Sequence, residues 1–314
     1  MRCAPRTVVH ALAVLGVIVG CDARPTVTAP TLTVFAAGSL ARPLRAALDS
    51  IVVSGGPRVQ LEVMGSREML RAVTSLGRTP DLLVTADADE LEAQLMPTHV
   101  SRSTTFARNR VVLALSPRSP RAAGITTANW TERLSEPLLR VARADPRRAP
   151  LGYRTQLVWR LAEIETSRAG LAGRLAASAP AALLRGNEAD LAALLETGNA
   201  DAAWCYESLA RAMNLSFIRL GDRIDLGSVP DSAAYRRASV RIAGALTEDS
   251  TTVTGAPIRY AMAVVRNGAH VSVAQQLQDR LLDAASRRIM RRMGLDVLDT
   301  VAVHSVTANM RSVP

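Results

Sequence analysis

Short apolar segments alternate with segments of helical periodicity along most of the chain. Residues 32–36 have the composition of a buried strand and residues 59–63 also predict a strand, and each is followed by Gly-Ser and a helix-like pattern. In the first helix-like segment the apolar residues recur at helical spacing: Leu40, Leu44, Leu48 and Ile51. This alternation is typical of βαβ units, so the sequence predicts an α/β fold with parallel sheets.

The two Gly-Ser pairs suggest where a ligand binds. Gly38-Ser39 and Gly65-Ser66 both stand where a predicted strand passes into a predicted helix, and we expect each serine to be the N-cap of its helix. A helix start has free backbone N–H groups and a partial positive charge, and serine adds a hydroxyl donor. If both turns lie at the carboxyl edge of one sheet, they face one crevice that suits an oxyanion.

The βα pattern continues to the end of the chain. Further strands are predicted at 81–85, 110–115, 139–144, 202–206 and 259–265, and further helices at 153–164, 188–195 (capped by Asn187), 207–213, 273–282 and 285–293. Residues 116–120 form a breaker segment with two prolines, after which a second region begins.

The N-terminal segment resembles an export signal. Residues 1–20 carry Arg2 and Arg6 before an apolar stretch that is short for a membrane span, and Val17 to Cys21 resembles the lipobox of bacterial lipoproteins. We therefore expect Cys21 to be lipidated and residues 21–30 to tether the protein to a membrane. An ordinary signal peptide, with Cys21 buried or unpaired, is the alternative.

Composition and charge limit the class of protein and the kind of partner that fit this sequence. The chain has 314 residues, 48% of them apolar and 21% charged, which favours a globular protein of about two domains. Its net charge is +10 and all 38 basic residues are arginine, but aromatic residues make up only 3%, so a nucleic-acid partner is not expected. A small anionic ligand suits the charge better.

Cysteine, histidine and serine usage argues against several kinds of chemistry. If Cys3 leaves with the signal and Cys21 is lipidated, Cys205 is the remaining thiol and no internal disulfide can form. The four histidines are scattered, so a bound metal cation is not predicted. Neither Ser39 nor Ser66 lies in the G-x-S-x-G pattern typical of an activated serine nucleophile, and we expect no enzyme activity.

An ordered set of motifs resembles the periplasmic tungstate/molybdate-binding proteins of ABC transporters. The resemblance spans residues 32–295 and includes the segments 34–40, 65–66, 81–87, 96–97, 106–109, 129–130, 150–155, 195–198, 224–227 and 293–294. Of these, the Gly-Tyr-Arg-Thr run at 152–155 is the most specific. The resemblance implies a two-lobe, type II periplasmic-binding-protein fold with a ligand cleft between the lobes.

The resemblance also implies how the chain is divided. A signal at 1–20 and a tether at 21–30 precede the first part of lobe 1 at 31–115, lobe 2 at 116–217, and a return to lobe 1 with C-terminal helices at 218–314.

The implied ligand site combines residues from both lobes. The first lobe supplies the two Gly-Ser turns, and the second supplies the start of the helix at Gly152, Tyr153 and Arg154. Tyr235 matches a position near the ligand, although it could instead be a tyrosine packed at the lobe boundary. Arg154 either contributes positive field to the cleft or forms a structural ion pair with Asp145 or another acid.

The sequence departs from the family pattern at two positions. In archaeal relatives these positions carry carboxylates that can bond the molybdenum or tungsten atom of the bound oxyanion and raise its coordination number towards octahedral. The positions that carry them in archaeal relatives are here Ala149 and Cys205. Asp145 and Glu207 are nearby acids that could substitute. A carboxylate that does not bond the metal repels a dianion, so loss of both favours a tetrahedral anion held by hydrogen bonds.

The function implied is capture of molybdate or tungstate by an extracytoplasmic, membrane-anchored lipoprotein, with no cofactor. Its partners would be the permease and ATPase of an ABC importer, and we expect a monomer. Two alternatives stay open: the same fold with another small anion such as sulfate or phosphate, or a sensory receptor.

Overall fold

The computed structural model describes residues 30–243 and 250–305. The predicted signal peptide, Cys21 and most of the tether lie outside this range. The strands, numbered in chain order, are β1 Thr31–Ala37, β2 Arg58–Met64, β3 Leu82–Thr85, β4 Arg102–Asn109, β5 Val111–Leu115, β6 Val141–Ala144, β7 Leu184–Arg185, β8 Ala202–Tyr206, β9 Phe217–Ile218, β10 Ser239–Ala243, β11 Ser250–Thr254, β12 Ile258–Val264 and β13 Asp296–Ser305.

The helices account for most of the remaining regular structure. They are α1 Ala41–Val53, α2 Ser66–Thr74, α3 Ala88–Leu95, α4 Trp130–Arg133, α5 Pro150–Thr166, α6 Leu171–Ala177, α7 Glu188–Thr197, α8 Glu207–Ala212, α9 Ser232–Tyr235, α10 Val271–Leu281 and α11 Ala284–Arg292. Short 3₁₀ turns occur at Gly38–Leu40, Pro120–Ala122 and Ala181–Leu183.

The first lobe is built on a mixed sheet with strand order β13-β4-β12-β3-β1-β2. β1 pairs in parallel with both β2 and β3, as the βα pattern predicts, whereas β12 runs antiparallel between β3 and β4. Alternate residues of β1 enter different apolar clusters, with Val34 in one and Phe35 in the other. Both faces of the strand are therefore buried, which explains its continuous apolar sequence.

The second lobe has a sheet of strand order β7-β6-β8-β5-β9. Its core includes Trp204 on β8, whose ring packs edge-on against Trp130 at 5.7 Å and Trp159 at 6.0 Å between ring centroids. Such edge-to-face pairs add to the stabilisation from burial alone. The two-lobe α/β architecture is as the sequence predicts.

The crossings between the lobes differ from the predicted boundaries. Residues 111–115 were expected in lobe 1, but β5 pairs with β8 in the second sheet, so the first crossing is at Arg110. The return to the first sheet comes at β12 rather than at residue 218, because β10 and β11 form a separate hairpin and β10 contacts α5. β5 is apolar like its neighbours, so composition does not reveal which sheet it joins.

Several elements escaped the sequence analysis. They include β4, α3, α6, the β10–β11 strand pair and β13, as well as the short elements β7, β9, α4 and α9. β4 has the sequence Arg-Ser-Thr-Thr-Phe-Ala-Arg-Asn, and its mainly polar residues are nevertheless mostly buried between β12 and β13. Within the described ranges, no helix is long and apolar enough to cross a membrane.

Candidate functional site

The two Gly-Ser turns lie side by side at one edge of the first sheet. β1 and β2 are parallel and in register up to the pair Ala37 and Met64, so both turns leave the sheet at the same level. Adjacent strands are about 5 Å apart. Ser39 and Ser66 are both buried, with 2% and 0% of their surface exposed. The two turns therefore lie at the carboxyl edge of one sheet, as the sequence prediction requires.

Neither serine is a helix N-cap, and this prediction was wrong. Ser39 lies inside a 3₁₀ turn that precedes α1, and Ser66 is the first residue of α2, with Gly65 as its N-cap. Their hydroxyl oxygens accept hydrogen bonds from elsewhere. The Ala86 N–H donates to Ser66 Oγ at 3.0 Å, and the Tyr260 hydroxyl donates to Ser39 Oγ at 2.9 Å. With its oxygen used as an acceptor, each hydroxyl can direct its hydrogen to a ligand.

Tyr260 is held as a donor by a second buried side chain. Asn109, the last residue of β4, donates through Nδ2 to the Tyr260 hydroxyl and to Ser208 Oγ, both at 2.7 Å. Burial raises the pKa of Tyr260, so its hydroxyl keeps its proton. A polar chain thus connects Ser39 to the point where the polypeptide crosses to the second lobe.

The second lobe approaches both turns so closely that only glycine fits. A Cβ atom added to Gly38 would lie 2.6 Å from Glu188 Oε2, and one added to Gly65 would overlap the carbonyl oxygen of Arg148. That carbonyl also accepts a hydrogen bond from the N–H of Glu68 in the first turn of α2, at 3.3 Å. The two glycines are therefore required for the lobes to meet.

A buried ion pair joins the lobes next to the Ser66 turn. Arg154 of α5 places Nη2 3.3 Å from Asp87 Oδ2, and the two side chains are 5% and 3% exposed. Arg154 Nη1 donates to the Ala86 carbonyl at 2.6 Å and to the Tyr206 hydroxyl at 2.7 Å, while Tyr153 donates to Asp87. Of the two roles predicted for Arg154, the structure shows an ion pair, with Asp87 as its acid.

The electrostatics of this pair follow from burial and mutual attraction. Desolvation raises the pKa of Asp87, and the charge of Arg154 opposes that effect. Desolvation disfavours the Arg154 cation, but Tyr206 and Asp87 outweigh it and raise the Arg154 pKa overall. Arg154 therefore remains a cation between the lobes.

Glu188 is a buried carboxylate that the sequence analysis did not select. It is the first residue of α7, where Asn187 caps the helix by accepting from the Asp190 N–H at 3.1 Å, as predicted. Its side chain is fully buried, and no side chain among the described residues donates a hydrogen bond to either carboxylate oxygen. The N–H groups of Glu188 itself and of Ser39 are the hydrogen-bond donors that act on it. Burial raises its pKa to about 7, against the opposing effects of its own N–H, the Ser39 N–H and Arg154.

Glu188 gave little signal in the sequence. An acidic residue after an N-cap is common because it interacts favourably with the helix dipole, so Glu188 looked like an ordinary helix start. Its proximity to Gly38 comes from the closure of the lobes, which the local pattern does not encode.

The two positions where relatives carry carboxylates are uncharged and buried. Ala149 is the N-cap residue of α5. Cys205 lies in β8, where burial, with a smaller contribution from nearby Glu188, raises the pKa of its thiol to about 12. Neither position can supply an anionic oxygen.

Asp145 and Glu207, the acids proposed to substitute, are engaged in ion pairs of their own. Asp145 accepts from Arg147 Nη2 at 2.8 Å, and Arg147 lowers its pKa despite partial burial. Glu207 accepts from Arg211 and Arg219, each at 2.6 Å, which lower its pKa although burial acts to raise it. These contacts do not support the prediction that Asp145 or Glu207 replaces one of the missing carboxylates.

Gly152 and Tyr153 lie in the first turn of α5, which faces the first lobe. Pro150 occupies the first helical position, where a missing N–H costs nothing. A side chain at Gly152 would overlap Pro146, so the preceding turn packs directly on the helix. The Tyr153 hydroxyl is directed to Asp87 rather than to a serine turn.

Tyr235 makes its hydrogen bonds away from the serine turns. It is fully buried, and its hydroxyl donates to the Asp222 carbonyl and accepts from the Ser228 N–H at 2.9 Å. None of its hydrogen bonds within the described residues reaches Ser39 or Ser66. These contacts favour the alternative in which Tyr235 is a packed tyrosine.

Comparison with known sequences identifies relatives along nearly the whole described chain. A sequence model of bacterial extracellular solute-binding proteins matches residues 32–296. An uncharacterized solute-binding protein of Petrotoga mobilis is 32% identical, covering 84% of this chain and 82% of that protein. A putative ABC transporter molybdenum-binding protein of Haloferax volcanii is 33% identical, and the match covers 74% of this chain and 72% of the Haloferax protein.

Solved structures share the fold at low sequence identity. The periplasmic molybdate-binding protein of Azotobacter vinelandii superposes with a TM-score of 0.59 at 17% identity, covering 84% of this chain and 98% of that one. The sulfate-binding protein SubI of Mycobacterium tuberculosis gives 0.58 at 15% identity, covering 86% and 87%. The predicted two-lobe, type II periplasmic-binding-protein fold is confirmed.

We predict that Gly65→Ala keeps the lobes from closing. The added Cβ meets backbone rather than a flexible side chain, and such overpacking costs about 1–3 kcal/mol. Small-angle X-ray scattering should show a larger radius of gyration than for the wild type. Gly173→Ala in α6 is the matched control, because a Cβ there meets no atom within 4 Å. An unchanged radius for Gly65→Ala would contradict the close contact described here.

We predict that Glu188→Gln stabilises the ligand-free protein at high pH. A pKa of about 7, above the ordinary 4.5, means that the folded state loses stability as pH rises from about 4.5 through 7. The loss approaches roughly 3 kcal/mol above pH 8. Urea denaturation should show the variant more stable than wild type at pH 8 and similar to it near pH 4.5.

The control for this experiment is Glu196→Gln, which alters a half-exposed glutamate on the same helix. It should change the free energy of unfolding little at either pH. Equal stability of Glu188→Gln and wild type at pH 8 would show that the buried carboxylate is stabilised by a partner.

Proposed function

Because the chain belongs to the family of bacterial extracellular solute-binding proteins, we propose that it captures a tetrahedral oxyanion, molybdate or tungstate, for an ABC importer. Proteins of this family bind solutes and are not enzymes. Membership implies a small-molecule ligand and, for an ABC transporter, permease and ATPase partners.

The observation that carries the proposal is the pair of adjacent turns enclosed by the second lobe. Ser39 and Ser66 lie at one sheet edge, each with its oxygen already accepting a hydrogen bond, so each can donate to an anion. The Ser66 and Arg67 N–H groups at the start of α2 add donors and a favourable dipole. Arg154 lies nearby, but its charge is matched by Asp87, so the proposal rests on the hydroxyl and N–H donors.

The choice of molybdate or tungstate rests on the relatives. The Haloferax volcanii protein is named as molybdenum-binding, and the fold is shared with a molybdate-binding protein. With Ala149 and Cys205 in place of carboxylates, the proposed geometry is four-coordinate, with the anion held by hydrogen bonds.

Another tetrahedral anion is the second candidate. Hydrogen-bond donors alone distinguish sulfate from molybdate poorly, and a sulfate-binding protein shares the fold to the same degree. A receptor that reports occupancy to a membrane sensor would use the same site. Genes for a permease and an ATPase beside this one would favour transport.

The proposal includes anchoring through Cys21. The lipobox-like residues 17–21 and the following tether would hold a monomeric receptor on the extracytoplasmic side of a membrane, at the periplasmic face or the cell surface. Cys21→Ala should release the protein into the soluble fraction, and metabolic labelling with a fatty acid should mark the wild type only. Equal membrane association of both would exclude a lipid anchor at this residue.

We predict that the mature chain binds molybdate and tungstate in isothermal titration calorimetry. Sulfate and phosphate, tested in parallel, decide between the two candidates. Bound anion should also raise the melting temperature through mass action. Absence of heat and of any thermal shift with all four anions would discard the oxyanion proposal.

We predict that Ser39→Ala and Ser66→Ala each weaken binding by roughly 1–3 kcal/mol, because each removes one donor to a charged ligand. Titration of each variant with molybdate gives the change. Ser101→Ala, at an exposed position of the first lobe, is the control and should bind like wild type. Unchanged affinity in both site variants would place the ligand elsewhere.

A further inference from the structure

Glu188 presents a problem of charge for the proposed site. One of its carboxylate oxygens is 2.6 Å from where a Cβ on Gly38 would lie, so the carboxylate is directed at the turn that contains Ser39. It is fully buried, and no side chain among the described residues donates a hydrogen bond to it; the N–H groups of Ser39 and of Glu188 itself are the donors that act on it. An ionised carboxylate at this position would repel an incoming dianion in a medium where charges are poorly screened.

The surroundings of Glu188 do not neutralise it. The titratable groups that act on it or are affected by it are Arg154 on α5, Cys205 and Tyr206 on β8, Tyr260 on β12 and Asp190 on its own helix. The thiol and both phenols are neutral, because burial raises the pKa of each. Asp190 adds negative charge.

Arg154 is the cation in this set, and its charge is already matched by Asp87 at 3.3 Å. With Glu188 ionised, the three groups carry a net charge of −1, and a bound dianion would bring the total to −3. With Glu188 protonated, the protein groups are neutral and the carboxyl becomes a hydrogen-bond donor.

We propose that the site binds its oxyanion together with one proton, held by Glu188, whose carboxyl group then donates a hydrogen bond to the anion. This inference rests on the proposed function and adds a residue that sets ligand charge. The Glu188 carboxylate takes a proton from solvent, and no other bond forms or breaks.

The proposal distinguishes anions by whether they carry a proton. Molybdate, tungstate and sulfate have none near neutral pH, so Glu188 must acquire one from solvent. Monohydrogen phosphate carries a proton of its own, so its P–O–H group can donate a hydrogen bond to an ionised Glu188. Its binding therefore needs no proton uptake from solvent. The same pocket would therefore show two proton stoichiometries.

The experiment measures proton uptake during molybdate binding by the mature chain. Calorimetry at pH 6 and pH 8, each in two buffers of different ionisation enthalpy, gives the number of protons bound. With an unliganded pKa of about 7 for Glu188, uptake should be close to one at pH 8 and small at pH 6. The affinity should fall about tenfold between pH 8 and pH 9.

Two variants assign the proton to its residue. Glu188→Gln should abolish both the uptake at pH 8 and the decline in affinity, since the amide donates without titrating. Glu196→Gln, exposed on the same helix, should retain both. If monohydrogen phosphate binds, it should do so without uptake at pH 8.

The opposing outcomes are distinct. Molybdate binding at pH 8 without proton uptake by the wild type overturns this inference but leaves the proposed function intact. The same result with loss of binding in Glu188→Gln would indicate that the ionised carboxylate bonds the metal of the anion directly. A proton uptake that persists in Glu188→Gln also overturns it, and failure of every oxyanion to bind removes the proposed function as well.

Discussion

The contact between Asp87 and Arg154 is the interaction on which the closed arrangement depends. Each charge is withdrawn from water and then compensated by the other lobe, with further hydrogen bonds from Tyr153 to Asp87 and from Arg154 to Ala86 and Tyr206. A buried pair of this kind contributes little net free energy, because its desolvation offsets its attraction. It does specify geometry, since a lobe displaced by a few ångströms leaves two charges unmatched.

Steric fit and hydrogen-bond direction complete the site around that pair. Gly38 and Gly65 allow the second lobe to touch the turns of the first, where any side chain would hold the two apart. At the same time the Ala86 N–H and the Tyr260 hydroxyl occupy the oxygens of Ser66 and Ser39. A ligand therefore meets hydroxyl hydrogens, and an anion is the partner that such donors favour.

The sequence predicted what depends on local pattern and missed what depends on closure. β1 was found because a buried parallel strand is mainly apolar, and β2, an edge strand, because its branched apolar residues alternate with polar ones; each is followed by a Gly-Ser pair. The serine caps were wrong, since the hydroxyls find partners far along the chain. β4 escaped because its polar residues are buried only by β12 and β13. Glu188 reads as an ordinary first-turn acid, and only the meeting of the lobes makes it a buried one.

The arginine-rich composition acts mostly at a distance from the site. Arg154 is the basic side chain with the largest influence on Glu188, and Asp87 neutralises it. The whole sequence has a net charge of +10, which becomes +8 without Arg2 and Arg6 of the predicted signal; such an excess raises the rate at which anions arrive but supplies no cation at the site to hold them. Binding of the proposed anion must then rest on neutral hydrogen-bond donors and helix N–H groups. Such donors hold an anion strongly only where water is excluded. For the proposed oxyanion, in a chain that lacks carboxylates at 149 and 205, affinity would then depend on enclosure between the lobes rather than on local positive charge.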